Sequence, residues 1–220
     1  MIVTIDGPAG SGKSTAARKL ADRLGYRFLD TGAMYRVVGF ECLRQGVDLD
    51  DREQVGRIAR EVKLHFEGDN IFSGDENVSE PIRSTEVTRA ASVVALDPEV
   101  RRAMVETQRE LAAGLDIVTE GRDQGTVAFP HAECKFFFEA DPKERAARRH
   151  RELEEQGSSA SFEEILNQIH ERDRRDATRE VAPLKPAPDA IHVDTTGIGI
   201  EEVLQLLEQT VRQRQRDLSR

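Results

Sequence analysis

Ile2-Val3-Thr4-Ile5 is followed at once by Gly7-Pro8-Ala9-Gly10-Ser11-Gly12-Lys13-Ser14-Thr15, and this stretch decides the fold. It fits the phosphate-binding pattern G-x-x-x-x-G-K-[ST], placed behind an apolar strand and ahead of a helix. The glycines let the backbone curl so that successive N–H groups point at phosphate oxygens, and the helix adds its positive end. We therefore predict a nucleoside triphosphate site, in which Lys13 neutralises the outer phosphates and Ser14 ligates magnesium. A chance glycine-rich turn is the alternative, and the joint presence of strand, Lys and Ser argues against it.

Length and composition favour an intracellular α/β protein. A chain of 220 residues suffices for one well-packed α/β domain with an appended subdomain. Cys42 and Cys134 have no paired spacing, so neither a disulfide framework nor a zinc cluster is indicated. No segment approaches the roughly 20 apolar residues of a membrane helix, and no charged-then-apolar leader precedes the first strand. We expect a soluble, cytoplasmic protein without membrane contact.

The charge balance argues against a surface that coats nucleic acid. The chain has 32 basic and 41 acidic residues, a net charge of −9, whereas polyanion binding requires many neutralised phosphates. Six lysines leave 26 arginines among the 32 basic residues. The planar guanidinium suits phosphate groups and base edges, so the arginines could be concentrated in one cleft. A codon preference of the genome would produce the same bias, and this alternative stays open.

Hydrophobic period and turn residues predict alternating β–α units. The predicted core strands are Ile2–Asp6, Tyr26–Asp30, Asp116–Thr119, Lys135–Glu139 and Ala190–Val193. The predicted helices are Lys13–Leu24, Ala33–Arg44, Arg52–Arg60, Thr85–Leu96, Glu99–Ala113, Asp141 to about Gln156, Phe162–Ala177 and Ile200–Arg216. Between these elements, apolar and polar residues alternate in the segment 62–83 and turn residues interrupt them, which predicts a small antiparallel meander. The fold class predicted is therefore α/β, a five-stranded parallel sheet covered by helices, with ligands at the carboxyl edge of the strands.

Polar residues follow two further strands and predict a second ligand facing the triphosphate. Guanine-binding GTPases usually carry Asn-Lys-x-Asp and transport ATPases Leu-Ser-Gly-Gly, and the sequence has neither. Instead, Asp30-Thr31-Gly32 leads to Arg36, and Glu120-Gly121 leads to Arg122-Asp123. Two arginines at strand ends can hold an acceptor phosphate against a γ-phosphoryl group. A solvated surface charge is the ordinary interpretation of either arginine alone.

The segment Arg172-Asp173-Arg174-Arg175-Asp176, followed by Arg179, has two interpretations. Spacings of three and four place Arg172, Asp176 and Arg179 along one helix face, with Arg175 close by. This pattern is typical of an exposed helix held by ion pairs. The flanking breakers at 157–159 and 183–188 indicate instead a hinged lid, which would exclude water from a transferable phosphoryl group.

Taken together, these blocks resemble the bacterial-type cytidylate kinases, a family of nucleoside monophosphate kinases. The resemblance spans essentially the whole chain and rests on Ile5-Asp6-Gly7-Pro8 through Lys13, Asp30-Thr31-Gly32-Ala33-Met34-Tyr35-Arg36, Glu120-Gly121-Arg122-Asp123, Gly125-Thr126-Val127, Glu171-Arg172-Asp173 and Val181-Ala182-Pro183-Leu184. It implies a single kinase domain with three regions. These are a core (1–31, 92–150 and 185–220), a monophosphate-binding region with the β insert (32–91) and a helical lid (151–184).

The resemblance also implies a role for individual residues. ATP, with Mg²⁺, would be held by Gly7, Pro8, Ala9, Gly10, Ser11, Gly12, Lys13, Ser14 and Thr15. The acceptor would be held by Thr31, Arg36, Ser92, Arg101, Arg122, Asp123, Arg172, Asp176 and Arg179. The residues acting in transfer would be Lys13, Arg36, Arg122 and Arg175.

The implied reaction is transfer of the γ-phosphoryl group of ATP to CMP or dCMP. An Asp carboxylate accepts a hydrogen bond from the cytosine N4 amino group, whereas uracil presents an oxygen there, so we expect Asp123 to favour CMP over UMP. We expect a monomer acting on small molecules. Two alternatives stay open: a small phosphate-loop kinase with another acceptor, such as a sugar, shikimate or dephospho-coenzyme A, and a non-enzymatic module whose partner binding changes with ATP.

Overall fold

The computed structural model describes residues 1–155, 157 and 159–219. Its strands are β1 (Ile2–Asp6), β2 (Arg27–Asp30), β3 (Leu64–Glu67), β4 (Asn70–Ser73), β5 (Glu76–Asn77), β6 (Ile117–Gly121), β7 (Cys134–Glu139) and β8 (Ile191–Asp194). Its α-helices are α1 (Lys13–Leu24), α2 (Thr31–Arg44), α3 (Arg52–Glu61), α4 (Thr85–Val94), α5 (Pro98–Ala112), α6 (Pro142–Glu155), α7 (Phe162–Thr178) and α8 (Ile200–Leu218). A 3₁₀ turn at Pro81–Arg83 and a π-helical turn at Gln124–Ala128 complete the elements of these residues.

Five strands form the main sheet, in the order β2-β6-β1-β7-β8. The pairings of β1 with β6 and β7, and of β7 with β8, are parallel. The register sets Asp6, the last residue of β1, beside Gly121 of β6 and Phe137 of β7. Since parallel strands end at one edge of a sheet, the loop after β1 and the turn after β6 leave that edge as neighbours.

Helices α1 and α8 cover the sheet through a shared apolar core. One buried cluster contains Val3 and Ile5 of β1 and Phe136 of β7. The helices contribute apolar side chains to the same cluster, namely Ala17 and Leu20 from α1 and Leu204 and Leu207 from α8. Near-complete burial of each Leu or Ile side chain stabilises the fold by about 1.5–3 kcal/mol. Helix α1 ends at Gly25, whose φ of +70° is the left-handed conformation that terminates a helix at little cost for glycine.

Residues 30–114 form a compact unit, and residues 1–29 and 115–220 form the other. In the first of these, Asp30 caps α2 by accepting the Ala33 N–H at 2.9 Å, and Asp97 caps α5. The backbones of α2 and α4 approach so closely that a Cβ on Gly39 would lie 2.8 Å from the Ala91 nitrogen. The antiparallel sheet β3-β4-β5 lies in the same unit. Helix α5 packs against α3 and α2 within this unit.

Helices α6 and α7 are joined by a small apolar cluster of their own. Ala146 of α6 is fully buried against Ile165 and Ile169 of α7. A capping box between Ser161 and Glu164 begins α7. The two residues Gln156 and Ser158, where we expected α6 to end and a break to follow, lie outside the described residues.

The sequence-based prediction of the fold is confirmed, with local differences. The five-stranded parallel sheet covered by helices is present, and so is the three-stranded meander. Helix α2 begins two residues before the predicted Ala33, because the Asp30 side chain caps it. Arg179 follows α7 with extended backbone (φ −62°, ψ 141°), so it does not continue the helix face of Arg172 and Asp176 as expected. Within the described part of the chain, no helix combines the length and apolarity that crossing a bilayer requires.

Candidate active site

The loop between β1 and α1 has the backbone that its glycines permit. Gly10 and Gly12 adopt φ of +74° and +83°. Gly7 has φ of +155°, and a Cβ there would lie 2.6 Å from the carbonyl oxygen of Phe138. The loop thus lies directly against the end of β7, which no residue with a side chain would allow. Because α1 begins at Lys13, the unpaired N–H groups of its first turn lie at the end of this loop.

Lys13 is a buried cation at the start of α1. Its side chain is 6% exposed, and its Nζ donates to the carbonyl oxygen of Pro8 at 3.1 Å. The carboxylate of Glu120, near the end of β6, lies 3.7 Å from the same nitrogen. Burial lowers the pKa of Lys13 to about 7, aided by the nearby Arg122 cation and opposed by Glu120. Lys13 therefore lies in a setting that disfavours its charge until an anion arrives.

Polar side chains hold the loop internally and fasten it to the rest of its unit. Ser11, fully buried, donates to the Pro8 carbonyl at 3.0 Å, which fixes the turn internally. Thr195, just after β8, donates to the Ser11 carbonyl at 3.0 Å, and Arg148 of α6 donates to the Thr195 carbonyl at 2.6 Å. We did not predict Thr195 or Arg148 from the sequence, since their partners are backbone carbonyls far away in the chain.

Arg145 of α6 connects the loop to α7 and was also missed. It is 3% exposed, and its Nη1 donates to the Ala9 carbonyl at 3.0 Å. The same guanidinium forms a two-pronged pair with Asp173 of α7, at 3.1 and 2.6 Å, while its Nε donates to the Ala140 carbonyl. The sequence carries no signal for this role, because Arg145 is one of several arginines in a charged helix.

Ser14 and Thr15 lie exposed in the first turn of α1. The Ser14 hydroxyl is the oxygen donor that the sequence assigned to magnesium. Nearby carboxylates have other partners: Asp6 accepts two backbone N–H groups, and Glu120 faces Lys13. No group of three or more potential metal ligands occurs among residues 1–155, 157 and 159–219. A single hydroxyl fits Mg²⁺ that arrives with phosphate oxygens and keeps several waters, and it does not fit a cage made of protein ligands.

The turn after β6 presents Arg122 and Asp123 to two residues near the end of α7. Arg122 Nε donates to Asp176 Oδ2 at 2.7 Å. Asp123, 4% exposed, has its Oδ1 at 3.8 Å from Nη2 of Arg179. Burial would raise the pKa of Asp176, but Arg122, with help from Arg172 and Arg179, outweighs burial and lowers it. The predicted neighbourhood of Arg122, Asp123, Asp176 and Arg179 is therefore present in one unit.

The segment after α7 folds back over the end of that helix. Arg179 Nε donates to the Ala182 carbonyl at 2.5 Å, and the Leu184 N–H donates to the Asp176 carbonyl at 2.7 Å. Ala182 has φ of +52°, the left-handed conformation that a side chain disfavours. The strain at Ala182 is held by these contacts, and it orients the residue that faces Asp123.

Arg172 and Arg175 differ in their surroundings. Arg172 is half-buried, and its charge acts on both Lys13 and Asp176. Arg175 is exposed on α7. Arg172 is thus part of the charged cluster that includes the phosphate loop, while Arg175 faces solvent on the same helix.

The remaining predicted residues, Thr31, Arg36, Ser92 and Arg101, lie in the unit of residues 30–114. Thr31 is buried at the start of α2, and Arg36 is half-buried one turn later. Ser92 of α4 donates to the Thr88 carbonyl at 3.1 Å. Arg101 of α5 is 4% exposed, lies 5.5 Å from the centre of the Tyr35 ring and donates to the Ala95 carbonyl.

Comparison with known proteins gives one consistent family. A family model described as cytidylate kinase matches residues 3–213. A cytidylate kinase of Rhodopirellula baltica is 46% identical over 213 residues, which cover 97% of this chain and 93% of that protein. A cytidylate kinase of Caldanaerobacter subterraneus subsp. tengcongensis is 43% identical over 210 residues, covering 96% and 94%.

Solved structures with little sequence similarity share the fold. An uncharacterized protein from Eubacterium ventriosum has a TM-score of 0.56 at 14% identity, covering 97% of this chain and 98% of its own. The shikimate kinase from Bacteroides thetaiotaomicron has a TM-score of 0.51 at 12% identity, covering 96% and 98%. At such identities the likeness concerns architecture alone.

Proposed function

This chain belongs to the cytidylate kinase family, and we propose that it transfers the γ-phosphoryl group of ATP to the phosphate of CMP or dCMP, giving ADP and CDP or dCDP. The observation that carries the proposal is a cationic site within one compact unit. Lys13 ends the phosphate loop, and the charges of Arg122 and Arg172 both act on it. Two polyanions can react only where such cations offset their repulsion.

The triphosphate would replace the present partners of Lys13. Its Nζ now contacts the Pro8 carbonyl, and burial disfavours its charge. Phosphate oxygens beside this nitrogen would raise the pKa of Lys13 again, so that a full positive charge meets the transferring group. We assign the backbone of residues 7–15 to the phosphates of ATP. The acceptor oxygen is anionic at neutral pH, so the reaction needs positioning and charge more than a strong base.

Magnesium belongs to this proposal through Ser14. The exposed hydroxyl of Ser14 would hold the ion together with phosphate oxygens, and the ion would neutralise charge that develops on them.

The residues that we assign to the acceptor are charged or polar. We propose that Arg122 and Arg36 contact its phosphate, with Arg175 joining during transfer. We propose further that Arg172 and Asp176 meet the sugar, while Arg179 contacts the base or the phosphate. We also assign Ser92, Arg101 and Asp123 to the base and Thr31 to the acceptor. The buried state of Asp123 and Arg101 supports this assignment, since desolvated polar groups discriminate strongly between ligands.

Asp123 would select cytosine. Its carboxylate accepts hydrogen bonds only, so it suits the N4 amino group of cytosine and repels the O4 oxygen of uracil. The region 151–184 would serve as a lid that excludes water during transfer. The chain breakers that flank α7 in the sequence, at 157–159 and 183–188, support this.

The setting of the enzyme completes the proposal. We propose a cytoplasmic monomer that acts on small molecules and binds neither membrane nor nucleic acid. The net charge of −9 and the buried free thiols of Cys42 and Cys134 support this setting, since polyanion binding needs excess cations and free thiols persist in a reducing compartment.

Release of ADP from Mg·ATP tests the proposed reaction. The assay offers CMP, dCMP, UMP, AMP and GMP separately as acceptors, and we expect strong turnover with CMP and dCMP only. Turnover with a sugar or shikimate instead would identify another phosphate-loop kinase. No acceptor-dependent release of ADP at all would overturn the proposed function.

A further inference from the structure

The carboxylate of Asp6 binds the turn that carries Arg122 and Asp123. Asp6 is the last residue of β1 and is 3% exposed. Its Oδ1 accepts the Gln124 N–H at 2.8 Å, and its Oδ2 accepts the Gly125 N–H at 2.7 Å. These are the first two N–H groups of the π-helical turn 124–128, which have no partner within the turn itself. A neighbouring strand therefore supplies the cap.

Asp123 occupies the position from which a side chain would ordinarily cap this turn. It precedes Gln124, yet its side chain makes no capping hydrogen bond and approaches Arg179 instead. Aspartate at such a position commonly folds back onto the following N–H groups. Asp6 already accepts hydrogen bonds from those N–H groups, so the Asp123 carboxylate is not required as the cap, and its Oδ1 lies 3.8 Å from Nη2 of Arg179.

The turn is seated tightly on β1 and β6. A Cβ added to Gly125 would lie 3.0 Å from Oγ1 of Thr4 and 3.4 Å from Oδ2 of Asp6, so the backbone approaches the strand as closely as a glycine allows. The buried Gln124 side chain accepts a hydrogen bond from Thr119 Oγ1 at 3.1 Å. Together with the two hydrogen bonds to Asp6, these contacts restrict the position of the turn.

We propose that Asp6 is a positioning residue for base selection: by holding the N–H groups of Gln124 and Gly125, it keeps the Asp123 carboxylate directed at the acceptor base and so sets the preference for cytosine over uracil. This inference rests on the proposed function of the site. Asp6 touches neither substrate in this assignment, and it acts on base selection through Asp123.

The charge state of Asp6 fits this role. Burial raises the pKa of Asp6 to about 6, although the two N–H groups oppose the rise. Among the charged groups around it, Asp123 raises this pKa further and Arg122 lowers it. Lys135 of β7 also lies near the turn, and its Nζ is bound to the Pro130 carbonyl and to Asp189. Above about pH 6 Asp6 offers two acceptor oxygens, and protonation would remove one of them.

The substitution Asp6→Asn tests the proposal, because it keeps the shape and replaces one acceptor oxygen by an N–H₂ donor. The measurement is the ratio of the dissociation constants for UMP and CMP by calorimetry, together with KM for ATP. We expect the ratio to fall about tenfold with KM for ATP nearly unchanged. A general loss of folded protein would lower the active fraction for both nucleotides alike and leave the ratio unchanged.

Asp51→Asn is the matched control. Asp51 also accepts a backbone N–H, that of Gln54, as the cap of α3, and asparagine caps a helix equally well. We expect its ratio to equal that of the wild type. A folded Asp6→Asn protein with the wild-type ratio would overturn the role of Asp6. A wild-type protein that releases no ADP with CMP would instead overturn the proposed function.

A second measurement uses the wild type alone and so does not depend on the folding of a variant. Between about pH 7.5 and 5.5, the UMP-to-CMP ratio should fall with the same midpoint, near pH 6, as the NMR shifts of the Gln124 and Gly125 amide protons. Phosphate ionisation is shared by both nucleotides and cancels in the ratio. A ratio that stays constant while the amides titrate would also overturn the proposal.

Discussion

Arg122 donates a 2.7 Å hydrogen bond from Nε to Oδ2 of Asp176, and the two side chains are only 15% and 17% exposed. The pair joins the turn after β6 to the last turns of α7. Because both groups are mostly removed from water, the attraction between them offsets part of the cost of burying the two charges. The same contact that orders an arginine for phosphate binding therefore also contributes to the stability of the fold.

We expect Asp176→Asn to make the free energy of unfolding less dependent on pH in the acidic range. The pKa of Asp176 is lowered in the folded protein, so its contribution is present above the unfolded value near 4 and is lost as the pH falls through the folded value. Urea unfolding should show Asp176→Asn less stable than the wild type by about 1.5–3 kcal/mol at pH 6.5, with a smaller gap at pH 3.5. Asp217→Asn, on the exposed face of α8, should track the wild type at both pH values. A gap that widens in acid would contradict the assignment.

Lys13→Ala should abolish most turnover and leave the fold intact. Removing the cation that meets the outer phosphates should lower kcat by about 10³-fold or more, given the weight of such charges in phosphoryl transfer. Circular dichroism and thermal unfolding check that the variant is folded. Lys19→Ala removes an exposed lysine from the same helix and should keep wild-type kcat. If Lys13→Ala retained most of its turnover, the phosphate loop would have no part in the reaction.

Binding of Mg·ATP at pH 8 should take up protons. Burial lowers the pKa of Lys13 to about 7 in the free protein, so at pH 8 the amine is mostly neutral. Bound phosphates favour the ammonium form, so binding should take up most of one proton. Calorimetry in buffers of different ionisation enthalpy measures this number. Lys13→Arg should show none, because a guanidinium stays protonated. Equal uptake in both proteins would assign the proton to another group.

The elements of the fold follow from local signals in the sequence. Helix α1 has both of its ends at the predicted residues, since glycines 12 and 25 stand at them with positive φ. Helix α7 ends one residue after the predicted Ala177, but Arg179 does not lie on the predicted helix face: its backbone is extended, and its Nε donates to the Ala182 carbonyl. The helical spacing of charged residues continues past Thr178 in the sequence, whereas the helical conformation of the backbone ends there. The charge pattern alone therefore does not predict the conformation of Arg179, and a contact with the segment after the helix accompanies it.

The candidate site likewise contains residues that the sequence predicts and residues that it does not predict. Residues that belong to a motif, such as Lys13 and Arg122, were identified from the sequence. Arg145 and Thr195 were not, because each binds a backbone carbonyl of the phosphate loop and only the folded chain brings them together. Asp6 was seen at a strand end, but its partners, two N–H groups more than a hundred residues away, depend on the register of β1 with β6. A side chain whose partner is a backbone group far away in the chain has no characteristic spacing in the sequence, so sequence patterns do not reveal it.

Asp123→Ala should remove the preference for CMP over UMP. Without the carboxylate, neither the N4 amino group nor the O4 oxygen meets a specific partner, so the ratio of kcat/KM for the two acceptors should fall by about 10-fold or more. Asp189→Ala is the control, since Asp189 pairs with Lys135 in the same unit and has no assigned role at the base. Its acceptor ratio should equal that of the wild type. An unchanged ratio in Asp123→Ala would move base selection to other residues.

Arg145→Lys should weaken ATP binding although it keeps the charge. The guanidinium spans the Ala9 carbonyl, the Ala140 carbonyl and both oxygens of Asp173, whereas an ammonium group cannot reach this set at once. We expect KM for ATP to rise about tenfold, KM for CMP to change less, and stability to fall by about 1.5–3 kcal/mol. Arg149→Lys alters an exposed arginine of the same helix, whose ion pair with Glu152 is exposed to solvent. This variant should match the wild type in all three measurements. If Arg145→Lys lost stability while KM for ATP stayed constant, the phosphate loop would hold its shape without Arg145, and the bond to Ala9 would serve only to anchor α6.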